Sequence, residues 1–248
     1  LSMAELFSAI GAPARIVGRA PLVARYISSG FSTLRGSSPY AATRFGKSYR
    51  LRPWLLLDIK DLETLEELIN TGSDTQIAAF RKSQLSVCGM IAIVGALVAQ
   101  AGITALQLPQ LDRIHYTCRG SFIMCLITSL LAVFLACLQQ RTLGPAAESS
   151  TARAWLSNGV RYTNARAESS LQSSVVAHMI LNAPFEIVSM AITLFMVGLG
   201  LYLGLGMTAG VNLSTGANDN RGVLISFVIP TFFIIVMFGW MMGMKDLE

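Results

Sequence analysis

Charge is what this 248-residue chain lacks: 13% of its residues are Asp, Glu, Lys or Arg, against about 25% in a soluble domain, while 53% are hydrophobic. A soluble fold has too few charges here to solvate its surface. Histidine occurs twice and cysteine four times, which excludes a disulfide framework and leaves too few ligands for a metal site. There is no G-x-x-x-x-G-K-[ST], no H-E-x-x-H and no G-x-S-x-G. Without a phosphate loop, a zinc-protease helix or a nucleophile elbow, an enzyme is not expected. The +5 net charge sits beside apolar segments and in no recognisable nucleic-acid module, so nucleic acid is not an expected partner.

Long apolar runs are what it has instead. Windows 84–108, 117–138, 184–207 and 223–244 each supply the roughly 20 apolar residues that a helix needs to cross a ~30 Å hydrocarbon core. The expected fold is an all-α polytopic membrane protein: four transmembrane helices with additional cytoplasmic helices, assembled as an oligomer. Residues 1–83 form a cytoplasmic region, 84–138 the first two spans, 139–183 a cytoplasmic helical linker, 184–244 the last two spans and 245–248 a tail. Met3 reads as the native start, and Leu247-Glu248 as cloning residues.

Basic loops tend to stay inside. Arg81 and Lys82 precede the first span, and Arg141, Arg153, Arg161 and Arg166 follow the second. Both termini are therefore expected to be cytoplasmic, in the plasma membrane or an internal one. Asn212-Leu213-Ser214, an N-x-[ST] triplet, then falls outside.

Within the N-terminal region, residues 6–57 hold eight basic residues and no acidic one, whereas 58–74 hold six acids and one Lys. The basic segment suits an anionic lipid surface, or pairs with the acidic stretch. It also resembles a mitochondrial transit segment, making the mitochondrial inner membrane the alternative location. The acidic segment 58–72 reads as an amphipathic helix, with Leu62, Leu65, Leu68 and Ile69 on one face and its carboxylates on the other. Asp61 is placed to cap it and Gly72 to end it. Asp61, Glu63, Glu66 and Glu67 are candidate cytoplasmic cation-sensing residues, with a divalent cation as the possible ligand. Convergence on one ion within a single chain is not expected of carboxylates spread along a helix. No cofactor is expected.

Ser73-Asp74-Thr75-Gln76 is a capping-box pattern, and nothing breaks the following helix before Pro109. Gly89, Ala92, Gly95, Ala99 and Gly102 make a stripe of small residues suited to close helix packing. Another face carries Gln100, Thr104 and Gln107. Mid-membrane amides are costly against lipid, so these three are ion-pathway candidates, with interhelical hydrogen bonding as the plainer reading. Asp112 and Asp219 are candidate outer carboxylates. In the third span Asn182 reads as the cap and Pro184 as a first-turn residue, which puts Glu186 where the helix dipole favours it, or at a cytoplasmic pore mouth. Gly200 and Gly204 align with Ser189 and Thr193 as a second packing seam. Pro230 interrupts the fourth span. His178 is expected at a surface or interface, and Cys118 to pair at most between subunits.

The stretch LEELINTGSDTQIAAFRKSQLSVCGMIAIVGALVAQAGITALQLP, residues 65–109, resembles a group of fungal four-span membrane proteins in which Ala79 to Ser86 enter the first span. The resemblance covers about residues 54 to 245. It implies four spans and a cytoplasmic helix, and no activity or site residue. Neither the basic pore helix nor the membrane-embedded acidic filter of store-operated calcium channels is found. An oligomeric ion channel, conducting cations, is the leading expectation; a non-conducting tetraspan scaffold is second and a coupled transporter third.

Overall fold

The computed structural model describes residues 39–46, 58–163, 169–208 and 219–245, with the side chains at 219–220, 234–235 and 238–245 outside that description. Its described elements run α1 (Pro39–Phe45), α2 (Ile59–Thr71), α3 (Asp74–Ala105), a short 3-10 turn (Leu111–Arg113), α4 (Tyr116–Leu143), α5 (Ser149–Leu156), β1 (Ser157–Thr163), β2 (Ser169–Ser173), α6 (Val175–Thr208) and α7 (Asp219–Lys245).

Three helices, α3, α4 and α6, are long and apolar enough to cross a membrane. Only 28%, 33% and 28% of their most apolar windows are buried in the protein, so most of that apolar surface faces outward. Met90, Leu97, Ile127, Phe134, Phe185 and Val197 are among the exposed side chains. A soluble monomer does not carry such a continuous apolar exterior. The chain is an integral membrane protein by this criterion. With 32, 28 and 34 residues, the helices are about 42–51 Å long and project beyond a ~30 Å hydrocarbon core.

Helix α4 lies between α3 and α6 and packs against both. Small residues bring the three together: Cys88, Ile91, Ala132, Ala136 and Val188 form the middle of the bundle. A side-chain carbon added at Gly95 would meet Val133 Cγ2 at 2.7 Å and the Ser129 carbonyl at 3.2 Å. At Gly198 it would meet Phe122 at 2.8 Å. One end of the bundle is closed by Phe122, Tyr202 and Leu203 against Ala105, Leu111 and Ile114, with Tyr202 donating to the Pro109 carbonyl at 3.0 Å. Helix α7 packs on α6, where Phe227 lies 3.5 Å from the position a side chain at Gly200 would take.

At the other end a head of α1, α2, α5 and the β-hairpin sits on the bundle. Leu65, Ile69, Leu143, Leu156 and Leu181 join α2, α4, α5 and α6 in one apolar cluster. Arginines tie the helix ends. Arg153 donates to the Ile69 and Gly72 carbonyls at 3.1 and 2.7 Å and to Asp74 at 2.9 Å, joining the end of α2 to the start of α3. Arg81 donates to the Leu143 carbonyl at 2.8 Å and to that of Gly144. Cations here meet the carbonyl ends of helices, where the backbone lacks partners.

Several expectations are corrected. The chain is not wholly helical, because residues within 139–183 form an antiparallel hairpin pairing Arg161 with Leu171 and Thr163 with Ser169. Gly159, at φ +75°, occupies the irregularity between Ser157 and Arg161, a conformation that glycine adopts without Cβ strain. Helix α2 has Asp58, not Asp61, at its N-cap. Helix α6 begins two turns before Asn182. Ser174 supplies the capping oxygen, accepting from the Ala177 amide at 3.2 Å, and Pro184 lies inside the helix. The Ser73 capping box is present as read.

Candidate functional site

Glu66 is the centre of the head. It is 6% exposed, against the expectation that the carboxylates of α2 face water. The reason is the partners that α1 and the hairpin bring. Oε2 accepts from the Tyr40 hydroxyl at 3.2 Å, the Ser173 amide at 3.2 Å and Arg44 Nη1 at 3.4 Å. Oε1 accepts from the Tyr162 hydroxyl. Arg44 also donates to Ser173 Oγ at 2.5 Å and to the Ser173 carbonyl, and Ser173 Oγ donates to the Leu62 carbonyl at 3.1 Å. A buried charge needs such a full set of partners. Burial pushes the Tyr40 hydroxyl up to about 12, with nearby Arg44 opposing the rise. Tyr162 is raised as well, by burial and by donating to Glu66.

Beside this cluster His178, 5% exposed, turns Nε2 towards Asp58 Oδ1 at 3.5 Å and Asp61 Oδ2 at 4.0 Å. Asn182 Nδ2 lies 3.1 Å from the same ring nitrogen. The ring opens on a cleft of about 500 Å³ between α2, α3 and α6, also lined by Thr64, Leu68, Phe80 and Gln84. The four candidate cation-sensing carboxylates do not come together: Glu66 points to the hairpin, Asp61 to His178, and Glu63 and Glu67 are exposed. Among the described residues no group of three His, Cys, Asp or Glu is arranged to hold a metal ion.

The ion-pathway candidates lie elsewhere. Gln100, Thr104 and Gln107 are exposed along one line of α3 and its C-terminal turn, while Gly95, Ala99 and Gly102 of the small stripe are buried on the other side. Gly89 and Ala92 are half-buried at its edge, where a side chain at Gly89 would lie 3.6 Å from Gln140. Thr104 Oγ1 donates to the Gln100 carbonyl at 3.0 Å. Asp112 is exposed and bridged to Arg119 at 3.2 Å. The side chain of Asp219 and the triplet at Asn212 lie outside the described residues, as does most of the basic segment 6–57. Glu186 is buried inside the bundle, well within α6 instead of at its start. Gly204 has open space where a side chain would go, so the close approach on α6 is made by Gly198. Cys118 is fully buried and donates to the Gly198 carbonyl at 3.3 Å, a position that excludes an intersubunit disulfide. His115 caps α4, its Nδ1 accepting from the Thr117 amide.

Sequence reasoning missed Tyr40, Tyr162 and Ser173 as partners of Glu66, and Asp58 as the neighbour of His178. The signal available was the mixed charge of the N-terminal region, which pairs basic Arg44 with acidic Glu66. No protein-family model, curated protein or solved structure matches this chain.

Proposed function

We propose that this integral membrane protein is a homo-oligomeric ion channel, with α7 as a fourth span and with the Gln100–Thr104–Gln107 strip of neighbouring subunits lining a shared pathway. The observation that supports it is the outward position of that polar strip on a helix whose opposite face is packed through its small residues. Amides in hydrocarbon are costly, so the strip calls for water or a second copy of the chain. A closed symmetric ring supplies both. Followed about five turns along α3, the same line passes the exposed Ala96, Ile93 and Ser86, with half-buried Gly89 beside Gln140 between the last two, to exposed Lys82. Polar ends then flank an apolar middle, the pattern of a pore that gates by dewetting. The arginine-rich end, with both termini, is placed on the cytoplasmic side.

The cation preference expected of this pathway rested on Asp112, Asp219 and Glu186. Asp112 is compensated by Arg119, Glu186 is enclosed by its own protomer, and Lys82 shares the Gln100 line. The proposal therefore commits to conduction, and the reversal potential reads the sign of the ion. Reconstitution into planar bilayers is expected to give currents above protein-free controls, reduced in Gln100→Leu. Absence of current across several salts, or a stable monomer in detergent, overturns the reading.

One observation favours a non-conducting scaffold. The Thr104 hydroxyl is satisfied by its own helix, so the strip also works as a dry helix contact. An oligomer that Gln100→Leu dissociates, and that passes no current, would identify the scaffold.

A further inference from the structure

The cleft between α2, α3 and α6 has an apolar floor, formed by Leu65, Leu68, Phe80 and Leu181, and a polar rim without a fixed cation. Asp61 and His178 are its titratable lining residues, of opposite sign when ionised and 4.0 Å apart, and no Lys or Arg lines it. A phosphate would meet a carboxylate there, and an ammonium would compete with the imidazole for Asp61. The rim therefore suits an uncharged group. It has hydrogen-bonding capacity to spare. Gln84 is half-buried in the wall, and among the described residues none shares a hydrogen bond with its side-chain amide. Asn182 turns Nδ2 to the His178 ring at 3.1 Å and keeps Oδ1 as an acceptor, while the Thr64 hydroxyl, donating to the Lys60 carbonyl at 3.0 Å, keeps its lone pairs. A volume of about 500 Å³ lies in the range of small-molecule sites.

Its position is equally specific. His178, Leu181, Asn182 and Phe185 follow one another at the three- and four-residue spacing of a single helix face. Phe185 is 52% exposed and Ile192, two turns further on, 40%, so the α6 wall of the cleft continues onto the outward apolar surface. On α3 that surface starts at Met90, less than two turns beyond Gln84. An occupant with its polar end at Gln84 extends its apolar part along the membrane-facing exterior.

We propose that this cleft binds an uncharged glycerolipid, diacylglycerol. Its hydroxyl and ester oxygens meet the Gln84 amide, Asn182 and Thr64, and the first methylenes of its chains cover the leucine floor before passing Phe185 into the bilayer. A sterol offers a single hydroxyl to this rim, and a phospholipid brings a phosphate that no lining cation matches. The site rests on membrane insertion alone and is independent of conduction.

The test uses the full chain in phosphatidylcholine nanodiscs carrying equal minor amounts of diacylglycerol, phosphatidic acid with the same acyl chains, and cholesterol. The discs are stripped stepwise with non-ionic detergent, and retained lipid is identified by native mass spectrometry. Diacylglycerol is expected to be retained over phosphatidic acid by about tenfold, because the added phosphate finds no partner in the cleft. Gln84→Lys supplies the missing cation and is expected to reverse that preference while leaving thermal unfolding unchanged. Leu68→Trp, which fills the floor without touching the polar rim, is expected to lower retention of both glycerolipids. Equal retention of diacylglycerol and phosphatidic acid by the unaltered protein, or retention of neither, overturns the proposal. So does a diacylglycerol preference that survives Gln84→Lys, which would put the lipid elsewhere on the exterior. Cholesterol retained over diacylglycerol overturns it in favour of a sterol.

Discussion

Four donors converge on the Glu66 carboxylate, and Arg44 beside it is 2% exposed in its side chain. Removing the negative charge leaves that guanidinium buried without its counter-ion. Glu66→Gln is therefore expected to destabilise the head by about 3 kcal/mol, and Tyr162→Phe by about 1 kcal/mol, because it removes one hydrogen bond and no charge. Equilibrium unfolding in detergent micelles, followed by proteolysis at the head, measures both. Indistinguishable wild-type and Glu66→Gln curves would show that the cluster does not hold the head in place.

The same residues set an alkaline limit. Tyr40 is neutral in the folded state up to about 12, against an ordinary value of 10.0. Above pH 10 the unfolded chain loses this proton while the folded one keeps it, so stability is full below that pH and falls as pH rises towards 12. The full difference is worth about 3 kcal/mol. Tyrosinate absorbance should rise together with loss of the head, and Tyr40→Phe should remove that part of the pH dependence. Titration of Tyr40 at its ordinary value, with the head intact, would be the contrary result.

Between helices, glycine is decisive only where another backbone or ring comes close. Gly95→Ala and Gly198→Ala place a methyl group 2.7 Å from Val133 and 2.8 Å from Phe122, and each is expected to cost about 1–3 kcal/mol as the helices are forced apart. Gly204→Ala meets nothing within 4 Å and is expected to stabilise α6 by roughly 0.5–1 kcal/mol through helix propensity. Thermal unfolding of the three variants in one detergent checks the order. The small stripe of α3 was legible because its spacing is set by helical geometry. Which glycine of α6 makes the contact was not, since Gly198, Gly200 and Gly204 all lie on the same apolar helix and only the path of α4 selects among them.

Across the whole molecule the distribution of basic residues has two uses. Arg44, Arg81 and Arg153 are taken up by carbonyls and carboxylates inside the head, whereas Lys82 is exposed on the line of Gln100. If that line faces a shared pathway, Lys82 rings repel cations at one mouth. Lys82→Gln is expected to move the reversal potential towards that of the cation in a salt gradient. An unaltered reversal potential, with current still present, would place Lys82 away from the pathway.

Membrane insertion was readable from composition and run length, because a bilayer imposes one simple requirement of about 20 apolar residues per span. The capping box at Ser73 and the apolar face of α2 were also local matters, decided within four residues of the chain. The hairpin was hidden, since Ser157 to Thr163 show no apolar alternation and pair with a second strand that Asn70 and Ser173 tie to α2. Helix boundaries near Asn182 misled for the same reason: a proline at 184 reads as a start, yet Ser174 caps the helix and packing carries it through. Residue type alone determined that this chain enters a membrane. Tertiary structure decided which of its few charges are buried, because the burial of Glu66 depends on partners 22 to 107 positions away in sequence, and that of Asp58 and His178 on each other, all brought to one end of the bundle.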